Sequence, residues 1–239
     1  MPKINVYLPD DLADAVRDTG LPVSPICQRA LEQAVRRITT IRQAVLGDLD
    51  PERLSEQLPS FTGRLVITLT LAARRAQESG AGSVTTGDLL HGMLTENHNL
   101  GLQVLTALDV APGSLTAPTT PEPAVAGDGL RFSAPAAVAL ELAVGEAIGL
   151  GHNYVGCEHL LIGLSAEPDG TAGDLLRSRA VDGRSARRAV AAALAGYAHL
   201  RAGATDPSTA PPPSALLTAV RAELAPLVER IERLEERLN

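Results

Sequence analysis

Gly151-His-Asn-Tyr-Val-Gly-Cys-Glu-His-Leu-Leu-Ile-Gly-Leu164 recurs in weaker form 71 residues earlier, as Gly80-Ala-Gly-Ser-Val-Thr-Thr-Gly-Asp-Leu-Leu-His-Gly-Met93. Sliding residues 61–110 onto 132–181 needs no gap and gives 13 identities in 50 positions, among them Phe61/Phe132, Leu69/Leu140, Leu71/Leu142, Leu89/Leu160, Leu90/Leu161 and Gly92/Gly163. Roughly four or five would arise by chance in a chain so rich in Ala and Leu. Two copies of one unit therefore lie in tandem, and the 3.6-residue apolar rows mark that unit as helical.

Composition supports a mainly helical protein. With two Phe, three Tyr and no Trp among 239 residues, the cores must be built from Ala, Leu and Val, small enough for close helix packing. A hydrophobic content of 45% suffices for one large or two small domains. Apolar runs are short and broken by charges, so neither a membrane span nor a secretion leader is expected, and the cytoplasm is the expected compartment. Cys27 and Cys157 lie far apart with no CxxC spacing and read as reduced thiols. The net charge of -7 argues against a surface coated in nucleic acid, while leaving room for a small local DNA site.

Residues 1–45 open with Lys3-Ile-Asn-Val-Tyr-Leu8, a period-two alternation that predicts a half-buried strand. Asp10 can cap a first helix with Leu12, Ala15 and Val16 on one face, ended by Gly20 and Pro22. Ser24 can cap a second helix, with Pro25 at its first position and a buried stripe of Ile26, Cys27, Ala30, Leu31, Ala34 and Ile38. A lone strand must pair, and the economical partner is a second copy of itself, which predicts a homodimer. Residues 46–60 read as a connector with one short helix. The double repeat occupies 61–201, as 61–110 and 131–200, and Pro112, Pro118, Pro121 and Pro123 between the copies predict a flexible crossover. Residues 202–214 form a Pro-rich linker. In 215–239, Leu217, Val220, Leu224, Leu227, Ile231, Leu234 and Leu238 alternate by three and four, a coiled-coil-like seam that Pro226 would kink or split.

The repeat pattern closely resembles the amino-terminal repeat domain of Clp unfoldases of the ClpC type, which binds substrates, adaptors and peptides ahead of an ATPase ring. The phosphate loop of that ring, GxxxxGK[ST], does not occur in the sequence. The resemblance implies helices opening after Phe61 and Phe132, with each second helix capped at Thr86 or Cys157. It also implies that Phe61 and Phe132, with Glu141, surround a site for peptides and cyclic peptide antibiotics; Ala137 stands where a basic residue is expected. The same phenylalanines are also readable as core, given how few aromatics the sequence has. Some members of the family read phosphoarginine through the Glu of the Gly-x-Glu-His turn and the hydroxyl after the Phe, which fall here on Glu158 and Ser133 in the second repeat but on Gly87 and Thr62 in the first. Glu158 and His159 can also be read as a helix-start acid and a buried His.

No catalytic set is expected: His152, Cys157 and His159 lack a second pair of zinc ligands, and no orienting group or oxyanion site accompanies a Cys/His pair. Neither a metal nor a cofactor is predicted. The first 45 residues resemble ribbon-helix-helix DNA-binding proteins, which would turn Ile4, Val6 and Leu8 into a dimer core and present Lys3, Asn5 and Tyr7 to the major groove. Ser24 and the start of the second helix would then hold a phosphate. Charge is close to balanced, with Lys3, Arg17, Arg29, Arg36, Arg37 and Arg42 against Asp10, Asp11, Asp14, Asp18 and Glu32. The expected protein is thus a non-catalytic homodimeric regulator: a decoy that binds peptides otherwise engaged by the Clp unfoldase, and an autoregulatory DNA-binding repressor. The rival is an adaptor or competitor of Clp protease components that acts by protein contact alone.

Overall fold

A computed structural model describes residues 4–123 and 129–203. Lys3, most of the Pro-rich linker and the coiled-coil-like seam expected over 215–239 lie outside the described residues. One compact unit runs to Ala191, and the described residues from Ala192 onward belong to a second.

The repeat offset reappears helix by helix. α4 (Gly63–Glu78), α5 (Thr86–Glu96) and α6 (Leu100–Ala107) of the first copy match α7 (Ala134–Gly149), α8 (Cys157–Ala166) and α9 (Thr171–Ser178) of the second, each starting 71 residues later. Thr62 caps α4 by accepting from Leu65 N at 3.3 Å, and Ser133 caps α7 by accepting from Ala136 N at 3.1 Å. Each second helix packs on its first through a glycine. A Cβ on Gly92 would run into the Thr68 carbonyl of α4, and one on Gly163 into the Ala139 carbonyl of α7. Leu65, Leu69, Leu89 and Leu90 and their counterparts in the second copy, such as Leu140, Leu160 and Leu161, fill the core around these crossings.

The caps of the second helices lie one residue earlier than expected. Thr85 caps α5 in a reciprocal box with Asp88, and Gly156 precedes α8, with His159 Nδ1 accepting the Gly156 N–H at 2.9 Å. Thr86 and Cys157 are the first helical residues instead.

Two short parallel pairings join the copies crosswise. β1 (Ser83–Val84) pairs with β2 (Arg131–Phe132), and Phe61 bridges to Val155. Each opening phenylalanine is therefore held by the turn of the other repeat.

Ahead of the repeats, α1 (Asp10–Thr19) and α2 (Val23–Leu46) flank the left-handed Gly20, followed by the short α3 (Leu54–Gln57). No strand forms over residues 4–9 of the single chain, where Ile4, Val6 and Leu8 are exposed; one strand alone has no partner for its backbone donors and acceptors. Asp10 is the first residue of α1 and makes no side-chain cap. Ser24 lies inside the first turn of α2 with Pro22 in the cap position, and Pro25 fits at the third position because the first turn's N–H groups have no intrahelical acceptor. The expected buried stripe of α2 is mostly uncovered: Ile26 is 49% exposed, Leu31 52% and Ile38 38%. Among the described residues its last turns reach the core, through Ile41 and Val45.

The crossover between the repeats is anchored at points along its described length. Pro112–Ser114 forms a 3-10 turn, named η1, and Leu115, Ala117 and Glu122 are buried. α10 (Gly183–Gly203) follows the second repeat and buries Ala186 and Val190.

Candidate functional site

Three places gather the chemistry-bearing side chains. The first is the seam between α2 and α7. Glu141 projects from α7 and accepts two hydrogen bonds from Arg42 of α2, Nε to Oε1 at 2.9 Å and Nη2 to Oε2 at 2.8 Å. The pair sits in a shallow cavity of about 190 Å³ lined also by Ile38, Ile41, Val144 and Gly145. Apolar walls around a half-exposed carboxylate suit a ligand with apolar side chains and a cationic group, and any such cation would compete with Arg42. The connector reinforces the docking: Arg131 Nε donates to Asp48 at 2.8 Å, and Leu49 N to the Leu130 carbonyl at 2.7 Å. Phe61 and Phe132 do not line this cavity. They are 7% and 1% exposed, with their backbones engaged in the crosswise pairings.

The second place is the turn of the second repeat. His152 stacks on Tyr154 with ring centroids 5.2 Å apart, and both meet His159 edge-on. Because His159 Nδ1 accepts from Gly156, its proton resides on Nε2, which donates to His152 Nδ1 at 2.8 Å. Burial, aided by His152, holds the His159 pKa down to about 4, so the ring is neutral at pH 7. Its 3.3 Å approach to Glu158 Oε1 is accordingly not an ion pair. Glu158 is itself buried, which raises its pKa. Cys157 bonds to Thr68 at 3.4 Å, and burial pushes its thiol up to about 12, leaving it protonated and unreactive. Among the described residues no group of His, Cys, Asp and Glu is placed to hold a metal.

The third place was not foreseen. Glu122 of the crossover sends its carboxylate between the two repeats. Oε2 accepts from Thr86 N at 2.9 Å and from the Ser133 hydroxyl at 2.6 Å. Oε1 accepts from the Thr86 hydroxyl, from Thr171 N at 3.1 Å and from the Thr171 hydroxyl at 3.2 Å. The first turns of α5 and α9 thus converge on one carboxylate. Ser133 is spent here and not beside Glu158. The crosswise pairing carries Ser133 toward the first repeat's turn, through Ser133 N to the Val84 carbonyl at 2.9 Å, and carries Thr62 toward the turn preceding Glu158, through Thr62 N to the Val155 carbonyl at 2.9 Å. Ser133 and Glu158, expected together in the second repeat, are thus engaged in different places, Ser133 at Glu122 and Val84, and Glu158 just after the turn that Thr62 joins. Gly87, at the position matching Glu158, lies under the crossover, where a Cβ would strike the Pro118 carbonyl.

In the amino-terminal segment, Asn5 and Tyr7 are exposed on the unpaired stretch, Tyr7 at 93%. Ser24 is exposed on α2. Among the described residues no helix is long and apolar enough to cross a membrane.

Comparison with known proteins places this architecture. The family described as the Clp repeat (R) N-terminal domain matches residues 60–179 and 131–225. A ClpA homologue, the ATP-binding subunit of an ATP-dependent Clp protease from Porphyra purpurea, is 34% identical over 137 residues, covering 54% of this chain and 16% of that protein. An uncharacterised protein of Mycobacterium tuberculosis is 37% identical over 120 residues, covering 49% of this chain and 47% of its own. The N-terminal domain of the chaperone ClpD from Arabidopsis thaliana aligns over 57% of this chain and 96% of that domain, at 22% identity and a TM-score of 0.41. The chain spans less than half the length of these two curated relatives. The tandem repeat and the family match over more than half of the residues lead to one assignment: the chain belongs to the Clp repeat N-terminal domain family.

Proposed function

We propose that the protein is a non-catalytic, cytoplasmic interaction module that captures peptides, cyclic peptides or marked proteins otherwise bound by a Clp unfoldase, and so acts as a decoy. The observation that carries this reading is the α2–α7 cavity, where the half-exposed Glu141 sits among apolar side chains and is held by one displaceable cation, Arg42. A ligand entering here would release the end of α2, which gives the amino-terminal segment a physical means of sensing it. The test is calorimetry with an apolar cyclic peptide that binds actinobacterial Clp N-terminal domains. Micromolar binding, about -8 kcal/mol, is expected, with at least a tenfold loss in Glu141→Gln. Equal affinity in the variant, or no binding by the parent, overturns the reading.

A second function rests on the uncovered faces of the first 45 residues. Two helices around a left-handed glycine, preceded by an alternating stretch and exposing Ile26, Leu31 and Val35, suit a dimer with the pattern of a ribbon-helix-helix protein. In that dimer Lys3, Asn5 and Tyr7 would contact DNA upstream of the protein's own gene, with Ser24 near a phosphate. A salt-sensitive gel shift lost in the Lys3, Asn5, Tyr7 triple alanine variant is the expected result. Absence of any shift leaves protein contact with Clp components as the whole function.

A further inference from the structure

Residues 115–123 cross from one repeat to the other without regular secondary structure, yet they are held as a bound peptide would be. Arg75 Nη2 donates to the carbonyls of Ala117 and Pro118, both at 3.3 Å, while its Nη1 is fixed on the Gly87 carbonyl at 3.0 Å. Ala134 N donates to the Pro123 carbonyl at 3.0 Å. Between these anchors Glu122 takes the amides and hydroxyls of Thr86 and Thr171 and the hydroxyl of Ser133. Leu115 and Ala117 are buried on either side of the exposed Thr116, and Glu122 is buried between the exposed Pro121 and Pro123. This is the mode in which grooves read extended Pro-rich segments, main-chain contacts setting the path and one side chain setting the choice.

The donor set is not a by-product of the repeat. The positions matching Thr86, Ser133 and Thr171 across the pseudo-twofold are Cys157, Thr62 and Leu100, which supply one hydroxyl where this half supplies three. A short crossover could close with an apolar residue. Burying a carboxylate instead demands compensating donors, and a groove with those donors is matched to that group.

We propose that the crossover is a resident pseudo-ligand, and that the cleft it fills takes in trans an extended, proline-containing peptide with a carboxylate side chain. Linked to the chain, the strap competes at an effective concentration on the order of millimolar, so the cleft is self-inhibited until a tighter acidic segment displaces it. The cleft is separate from the Glu141 cavity and stands or falls independently of the function proposed there.

The probe is a labelled synthetic peptide of residues 115–123, Leu-Thr-Ala-Pro-Thr-Thr-Pro-Glu-Pro, titrated by fluorescence anisotropy into the full chain and into Glu122→Gln, whose isosteric amide keeps the packing while weakening the resident contact. Binding at least tenfold tighter to Glu122→Gln than to the parent is expected. It should disappear when the peptide's Glu is replaced by Gln or when Thr86→Val is added to the protein, and it should be unchanged by Glu141→Gln. Hydrogen exchange gives a second readout on the parent protein: millimolar peptide should accelerate exchange of the Ala134 amide, which loses the Pro123 carbonyl when the strap leaves. A folded Glu122→Gln protein that binds no peptide at millimolar concentration, or binds it as weakly as the parent does, overturns the proposal. So does an Ala134 amide indifferent to the peptide.

Discussion

His159 ties the second repeat's turn to the pH of the solution. Its folded pKa, held to about 4, lies below the ordinary value of 6.5, so the unfolded chain takes up the proton first as pH falls. Stability from the neutral ring is fully present above pH 6.5 and drains away between there and pH 4. Moving from pH 7.5 to 5.5 should cost roughly 1 kcal/mol through this residue. His91, whose pKa is lowered by partial burial, contributes with the same sign. Glu158 acts oppositely: its raised pKa favours the protonated acid, a contribution present at low pH and lost as pH rises through the folded value. Urea melts of the parent and His159→Gln at both pH values check the assignment; identical slopes in the two proteins would show that His159 does not titrate between the folded and unfolded states. Backbone geometry offers a second residue-level test. Ala180 ends α9 at φ 61°, the left-handed position that Asp109 occupies after α6 at φ 60°. A Cβ is disfavoured there, so Ala180→Gly should raise stability by roughly 0.5–1 kcal/mol in the same melts, where an unchanged or lower midpoint would place Ala180 outside that conformation.

Helices read well from sequence because their signals are local. The 71-residue offset, the apolar rows and the hydroxyls at Thr62 and Ser133 point to α4 and α7, and Leu89 and Leu160 are buried as the alignment requires. What connects the helices did not read, because it depends on groups far apart in the chain. The crosswise pairing of Phe61 with Val155 and of Val84 with Phe132 has no local signature, so Ser133 and Glu158 looked like partners when they belong to opposite ends of the exchange. Glu122 lies among prolines and resembled linker; the asymmetry of Thr86 and Thr171 against Cys157 and Leu100 was the only available sign of its receptor. The buried stripe expected on α2 misread exposure, since periodicity reports that a face is apolar and not that anything covers it. The glycine crossings make the element-scale prediction. Gly92→Ala and Gly163→Ala should each cost about 1–3 kcal/mol, because the added methyl meets backbone carbonyls of the facing helix and the helices must separate. Leu89→Ala and Leu160→Ala, which leave the crossings intact and empty the core, should cost about 2–5 kcal/mol each. Thermal and urea melts of the four variants decide it: a glycine variant as stable as the parent would show that the helix pairs can part freely.

For the whole molecule, the decisive question is what covers the apolar surface that the single chain leaves open. Ile4, Val6, Leu12, Ile26, Leu31 and Val35 are each 48% exposed or more, all within the first 35 residues, whereas the large apolar side chains exposed in the described repeats are Ile67, Val138 and Leu142. Singly exposed apolar residues are ordinary, but a run of them along one helical hairpin with an unpaired alternating stretch in front marks an association surface. A second copy would supply the matching partner: two stretches of residues 3–8 would satisfy each other's backbone groups as an antiparallel pair, and the two α2 faces would close over them. Sedimentation at micromolar concentration should therefore find a dimer. Deleting Met1–Leu8 should loosen it at least tenfold, and Leu31→Lys with Val35→Lys should leave a monomer whose helical circular dichroism and repeat-domain melting are unchanged, since neither side chain belongs to the core. A parent that sediments as a monomer removes this surface from self-association. A dimer untouched by the double lysine variant moves the interface elsewhere, and the groove-reading role of Lys3, Asn5 and Tyr7, which requires two paired stretches, falls with it.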